Sequence, residues 1–334
     1  MASMASWPVF GQERSTFQEM TPEQRTAIEK GLDWLARRQG GSGAVGSSAQ
    51  VAFTGLAGLA WLANGSTPMH GKYSRQVRNA LRFIMRCCSK SSGYINEAGG
   101  RAQGGSGMHG HGYGLLFLSE VYGLCGNIPS EDLQDESVQK SIQRAVKCTE
   151  RSQDPNGGWS YDPSPSGHEG SVTITQVEAL RAARNAGISV GTKIIDKGIS
   201  YIKKSTNSDG TVAYSLGGGS GSFALTAAGA CVYAMYGLYD TAEAKRCAQT
   251  TFDFVSGKRS GQNNFDAYTN FYAGQACFLM KNHDEKFWTE GYPKVRKTLL
   301  DGQDKGSGGW LRDGYDGAFG TACACIVLQI PLRY

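Results

Sequence analysis

The sequence predicts an all-α protein, an (α/α)6 barrel in which six helical hairpins close into a toroid with inner and outer helix rings. Two observations lead there. A polar, amphipathic helix gives way to a Gly-rich hinge and then to an almost wholly apolar helix, six times, at intervals of roughly 45 to 60 residues, as a stacked repeat requires. The apolar helices lack a wet face and need burial all round, whereas the amphipathic ones have one stripe to bury and one to hydrate. A buried ring inside a half-wet ring satisfies both.

The elements follow in order. The first outer helix is expected over residues 22–39, where Thr21 precedes Pro22 and Glu23-Gln24 follow. A hydroxyl cap, a proline preset for the first turn and an early acid all mark a helix start. Its apolar partner covers 50–64 (QVAFTGLAGLAWLAN). The second outer helix, 73–87, repeats Val77, Leu81 and Ile84 at helical spacing while Arg75, Arg78 and Arg82 face elsewhere. Inner helix 111–124 follows, then the pairs 136–152 with 171–186, 192–205 with 222–239, 240–255 with 267–280, and 285–303 with 317–330.

The linkers carry a second repeat: Gln, a few small or acidic residues, Gly, then an aromatic. It is clearest at Gln153-Asp-Pro-Asn-Gly-Gly-Trp159 and Gln303-Asp-Lys-Gly-Ser-Gly-Gly-Trp310, and weaker forms stand at 39–45 and 207–212. Glycine permits a tight reversal, and the aromatic plugs the gap between neighbouring hairpins. With these linkers and the segments VAFTGLAGLAWLANG (51–65), MHGHGYGLLFLSEVYG (108–123), GGWSY (157–161), SVTITQVEALRAARNAGI (171–188), SFALTAAG (222–229) and FGTACACIVLQIP (319–331), the chain resembles the terpene-cyclase and protein-prenyltransferase superfamily. It looks closest to the bacterial single-barrel prenyltransferase/squalene-oxidase repeat proteins, which are similar to squalene–hopene cyclase. The resemblance runs from about residue 22 onward. It implies the α/α barrel and an isoprenoid or similar apolar ligand; one fold hosts many chemistries, so it does not fix the reaction.

Composition bounds the rest. No charge run or low-complexity linker divides the 334 residues, so 1–20 reads as an N-terminal tail and 21–334 as one barrel domain of six repeats. Net charge is +5, but Lys and Arg are spread over the outer helices without interleaved aromatics, which argues against a nucleic-acid surface. The longest apolar run, 223–239, is rich in small residues and fills an inner-helix slot, which argues against a membrane span. Nine cysteines, several within inner helices, read as free thiols of a reducing compartment. Residues 1–18 lack a basic start followed by an apolar run, so a cytoplasmic location is expected.

The known chemical triggers of the resembling enzymes are missing. The sequence has no Asp-x-Asp-Asp acid for protonating an alkene and no Asp-Asp-x-x-Asp for magnesium and diphosphate. The segment Tyr268-Thr-Asn-Phe-Tyr272 looks like the zinc-histidine segment of the prenyltransferases, with Thr269 in place of His. Nor is there the Gly-Cys-Gly-Glu-Gln thioester sequence of the related complement domains.

What remains is a set of polar residues where inner helices begin and one barrel mouth is expected. His109, His111, His168 and Glu169 form a candidate shell for zinc or iron, since imidazole and carboxylate suit both. Asp266, Asp313, Asp316 and His111 are candidate acids or bases. Tyr113, Phe117, Phe223, Tyr268, Phe271, Tyr272 and Phe319 are candidate cavity-lining aromatics, able to hold an isoprenoid or face a carbocation. Two functions stand open: an isoprenoid-processing enzyme of cyclase or prenyltransferase type, or a non-catalytic barrel binding a lipid, a peptide or a partner protein.

Overall fold

A computed structural model describes residues 20–97, 107–125, 137–219, 221–260 and 266–332. The tail, residues 1–19, lies outside these. The outer helices are α1 (Pro22–Arg38), α3 (Ser74–Cys87), α5 (Val138–Arg151), α7 (Thr192–Ser205), α9 (Ala242–Ser256) and α11 (Tyr292–Gly302). The inner helices are α2 (Gln50–Ala63), α4 (Gly107–Tyr122), α6 (Gly170–Asn185), α8 (Phe223–Met235), α10 (Asp266–Met280) and α12 (Ala318–Leu328). Each inner helix packs on the next, and α12 returns to pack on α2, so the ring is closed. Each outer helix rests chiefly on the inner helix before it; α1 accordingly sits on α12 and seals the seam between the chain's ends. A two-residue antiparallel ladder, β1 (Val212–Ala213) with β2 (Gly221–Ser222), decorates the loop before α8.

Small residues let the inner ring close. A Cβ on Gly55 of α2 would lie 2.8 Å from the Tyr113 carbonyl oxygen of α4, and one on Gly274 of α10 would lie 2.3 Å from a Val327 methyl of α12. Backbones this close leave no room for a larger side chain between them.

The Gln-Gly-aromatic linkers knit the outer ring together. Gln153 Nε2 donates to Gly157 O in its own loop and to Ile194 O of α7, at 2.9 and 2.8 Å. Gln303 does the same with Gly308 O and with Ala27 O of α1. Gln39 repeats it with Gly43 O and with Gln76 O of α3. One amide therefore joins α1 to α3, α5 to α7 and α11 to α1. The plugging tryptophans are anchored at both polar ends: Trp159 Nε1 donates to Thr149 O at 2.8 Å and Trp310 Nε1 to Leu299 O at 2.7 Å.

A further register recurs just inside each plug. The backbone N–H of Val45 donates to Thr54 Oγ1, that of Trp159 to Thr173 Oγ1, that of Val212 to Thr226 Oγ1 and that of Trp310 to Thr321 Oγ1. In the second repeat Ile95 N–H meets His111 Nδ1 at 3.1 Å instead.

Boundaries differ from the sequence reading in two places that matter. Helix α4 begins at Gly107, so His109 and His111 lie on its first turns and not in a loop before it. The last outer helix is split: a π-helical turn, Phe287–Gly291, precedes α11, where Pro293 in the first turn offers no N–H to an unbroken α ladder. All nine cysteines are free, eight of them buried and Cys87 half-buried.

Candidate functional site

The inner helices run parallel, with their N-termini at one mouth, and the mouth is acidic. Glu97 Oε1 accepts Val51 N–H at the start of α2, where Ala49 provides no side-chain cap. Glu169 accepts Ser171 and Val172 N–H at the start of α6, at 2.9 and 2.6 Å. Asp313 accepts Tyr315, Gly317 and Gly320 N–H, and Asp316 accepts Ala318 N–H, at the start of α12. Each carboxylate sits on the positive end of a helix and satisfies donors that would otherwise be orphaned.

These contacts define what the candidate acids do. Asp316 also takes the Ser47 hydroxyl at 2.8 Å, tying the loop before α2 to the loop before α12 across the seam. Burial pushes its carboxyl up, but the donors from Ser47 and Ala318 outweigh it and hold Asp316 below the usual carboxylate range. Asp313 is engaged on both oxygens by backbone donors. Asp266 opens α10, and its side chain lies outside the described residues.

The four residues read as a metal shell separate. His109 Nε2 lies 3.0 Å from Ser171 Oγ and 4.0 Å from Glu169 Oε1, so this part of the group comes together at the mouth. His168 turns outward, its Nδ1 3.0 Å from Tyr201 Oη on α7. His111 turns into the wall, with Nδ1 on Ile95 N–H and Nε2 donating to Thr149 Oγ1 at 2.9 Å. Ile95 needs an acceptor, so His111 carries its proton on Nε2. Burial pulls His109 down to about 4 and His111 down to about 3, and both are neutral at pH 7. Among the described residues no three His, Cys, Asp or Glu side chains gather as around a metal ion. Among the described residues, His109, His111, His168 and Glu169 do not form one zinc or iron shell.

The aromatics also divide. Phe117 is pressed against α2, where a Cβ on Gly58 would meet its ring at 2.4 Å. Phe223 stacks on Phe254 of α9 at 4.5 Å between ring centroids, away from the axis. Phe319 joins Phe53 and Tyr315 in a trio at the mouth. Phe271 packs edge-on against Tyr272. Three tyrosines cluster between inner helices: Tyr113 from α4, and Tyr268 and Tyr272 from α10, the last two 4.8 Å apart in a T-shaped pair.

They surround a residue the motif reading missed. Glu178 of α6 is 7 % exposed, and its Oε2 accepts Tyr272 Oη at 3.1 Å. Its Oε1, together with Tyr113 Oη and Tyr268 Oη, is buried with no geometrically complete hydrogen bond among the described residues. Burial, partly offset by Tyr272 and Arg181, pushes the Glu178 carboxyl up to about 8. The group is held as a neutral acid at pH 7, with its other oxygen aimed at nothing. The available signal was a lone acid inside SVTITQVEALRAARNA, a helix otherwise read as buried. Position 178 follows Thr175 and Ser171 on one helical face, so the acid points the same way as the mouth residues.

At the level of sequence, no protein-family model and no curated protein matches the chain. Solved structures do. A variant of the type II terpene cyclase MstE from Scytonema, in complex with geranylgeranyl dihydroxybenzoate, is similar over 92 % of this chain and 97 % of its own, at 13 % identity and a TM-score of 0.60. The GH76 α-mannanase BT2949 of Bacteroides thetaiotaomicron is similar over 91 % and 94 %, at 12 % identity and 0.61. A protein from Actinoplanes is similar over 93 % and 100 %, at 12 % identity and 0.57. At such identities the likeness concerns the fold, and these relatives carry different chemistries on it. The chain has the terpene-cyclase-like α/α-barrel fold, the toroid also found in the GH76 α-mannanase.

Proposed function

We propose that this barrel binds an apolar ligand of the isoprenoid class along its axis, with the polar end of the ligand at Glu178. The observation that carries the reading is a buried polar cluster in which Glu178 Oε1, Tyr113 Oη and Tyr268 Oη have no geometrically complete hydrogen bond, with Tyr272 in reach of all three side chains. Leaving a buried donor or acceptor unpaired costs about 1–3 kcal/mol, so three at one spot mark a place arranged for a missing partner. Tyr268 is half-buried and lies one turn nearer the start of α10 than Tyr272.

Binding is favoured over cyclisation started by alkene protonation. A carboxyl whose pKa is raised to about 8 is a weak acid, whereas an unactivated double bond needs a strong one. Asp313 and Asp316, the other described candidates, spend their oxygens on helix N-termini. Glu178 suits donation of a hydrogen bond or proton to an oxygen, a far more basic acceptor than an alkene.

Native mass spectrometry of gently purified protein, with solvent extraction of what co-purifies, tests this directly. A bound isoprenoid, or stabilisation on adding farnesol or geranylgeraniol, supports it; saturation at 100 times the dissociation constant corresponds to about 2.7 kcal/mol. No binding of any apolar chain would leave a partner-binding surface as the better reading.

A further inference from the structure

The ligand's polar end can be specified further, on the footing of the axial-binding reading above. We propose that it is an uncharged oxygen group, a hydroxyl, carbonyl or epoxide, and that the barrel rejects prenyl diphosphates.

The first argument is the direction of the hydrogen bonds. Tyr272 Oη donates to Glu178 Oε2, so the proton of the neutral carboxyl resides on Oε1, the oxygen with no acceptor. A donor left in this way requires an acceptor from the ligand. An oxygen with two lone pairs can take Oε1–H and a phenol O–H from Tyr113 or Tyr268 together. A purely hydrocarbon ligand would leave all three groups unsatisfied.

The second argument is charge, and it stands on a different part of the molecule. Helix N-termini attract anions, and six of them face this mouth. Three of those termini already carry carboxylates of the chain itself: Glu97 on α2, Glu169 on α6, and Asp313 with Asp316 on α12. A helix end is worth about half a positive charge, so a full carboxylate on it leaves net negative potential. At these three termini a diphosphate finds the helix-end charge already taken up by carboxylates, with Arg38 the cation that reaches Asp316. Deeper in, Arg181 reaches Glu178 electrostatically, and it shares the Tyr236 ring with Arg184, each at 5.8 Å. Guanidiniums held on that ring do not wrap a diphosphate stripped of water.

The test titrates the full chain at pH 6.5 with farnesol, farnesyl diphosphate and farnesylamine, reading calorimetric heats and thermal stabilisation. Farnesol is expected to bind at least about tenfold more tightly than the diphosphate, the equivalent of one good hydrogen bond gained. Glu178→Leu should weaken farnesol by about tenfold while leaving the diphosphate unchanged, and Glu178→Gln, whose amide still donates, should recover part of the loss. Tyr268→Phe, at a half-buried site tolerant of losing a hydroxyl, should weaken farnesol by a few-fold and serves as a second variant if Glu178 substitutions unfold the barrel. Glu97→Gln should raise diphosphate affinity at low salt and not at high salt. Diphosphate binding as tightly as farnesol overturns the inference and leaves the axial-binding reading intact. So does farnesylamine binding tightest with an affinity that climbs above pH 8. Failure of all three to bind sinks the axial-binding reading, and this one with it.

Discussion

His111 and Thr173 hold equivalent positions in consecutive repeats: each accepts the backbone N–H of the residue that plugs the loop before its own inner helix, Ile95 at 3.1 Å and Trp159 at 3.0 Å. Thr54, Thr226 and Thr321 do likewise. His111 is thus the second repeat's version of a threonine, with the added reach to bond Thr149 on α5. Its chemistry is spent on joining three segments of the wall.

His111→Ala should therefore destabilise the protein without altering binding at the axis. Two buried partners lose their hydrogen bonds, and about 1–3 kcal/mol per orphaned group gives a total of a few kcal/mol. Denaturant unfolding and calorimetry would show it, and His111→Thr should lose less because it restores the acceptor for Ile95. A His111→Ala variant of unchanged stability would sink the repeat argument.

Stability should vary with pH through two buried groups of opposite sign whose windows overlap. Glu178 binds its proton more tightly folded than unfolded, with a pKa raised from 4.5 to about 8. Between those values the native state holds more protons than the unfolded chain, so stability falls as pH rises through that window, by at most about 1.4 kcal/mol per pH unit. Glu178→Gln should flatten the slope. His109, lowered from 6.5 to about 4, acts in the opposite sense: its contribution is present above 6.5 and is lost as pH falls towards 4. Melting temperature against pH in Glu178→Gln and in His109→Gln separates the two contributions.

Two glycines of similar backbone give a controlled comparison. Gly157 has φ +96° and a Cβ there would lie 2.4 Å from the Lys197 carbonyl oxygen, whereas Gly187 has φ +81° with open space around it. Gly187→Ala should cost about 1 kcal/mol, the penalty of the left-handed conformation alone. Gly157→Ala must also push α7 away and should cost several kcal/mol. Equal losses in chemical denaturation would show that the close approach does not matter.

Asp316→Ala removes both the cap of α12 and the tie to Ser47 across the seam. A loss of about 1–2 kcal/mol is expected from the cap. Hydrogen exchange should rise in residues 46–49 and at the start of α12, where the ends of the chain meet, and stay unchanged in α6 and α8. Uniform change over the barrel would argue against a local latch.

The cysteines should be inert in the folded protein. Burial pushes Cys87, the half-buried one, up to about 12, and raises Cys125, Cys148, Cys231, Cys247, Cys277, Cys323 and Cys325, so a thiol reagent at pH 8 should react slowly before unfolding and with nine thiols after it. A fast-reacting native thiol at Cys231, Cys277, Cys323 or Cys325 would contradict the packing of the inner ring.

The sequence by itself determined the rods and their layers. Apolar periodicity, the Thr21-Pro22 start and the Gly hinges act over a few residues, and the twelve α-helices among the described residues lie where that pattern put them, with ends shifted by a few positions. Gln153, Gln303, Trp159 and Trp310 were equally legible, since their bonds serve the turns that contain them. Only the tertiary structure decided which way the polar residues face. His109, His111 and His168 look alike as neighbours of glycine, yet one faces the mouth and two face the wall: two residues of helix turn His111 by about 200° from His109, and His168 sits in the loop before α6, where Tyr201 holds it. Glu178 carries no motif, and its neighbours Tyr113 and Tyr272 lie far away in the chain. Its chemistry arises from desolvation and from partners that meet only when α4, α6 and α10 share an axis, and a local pattern does not encode that.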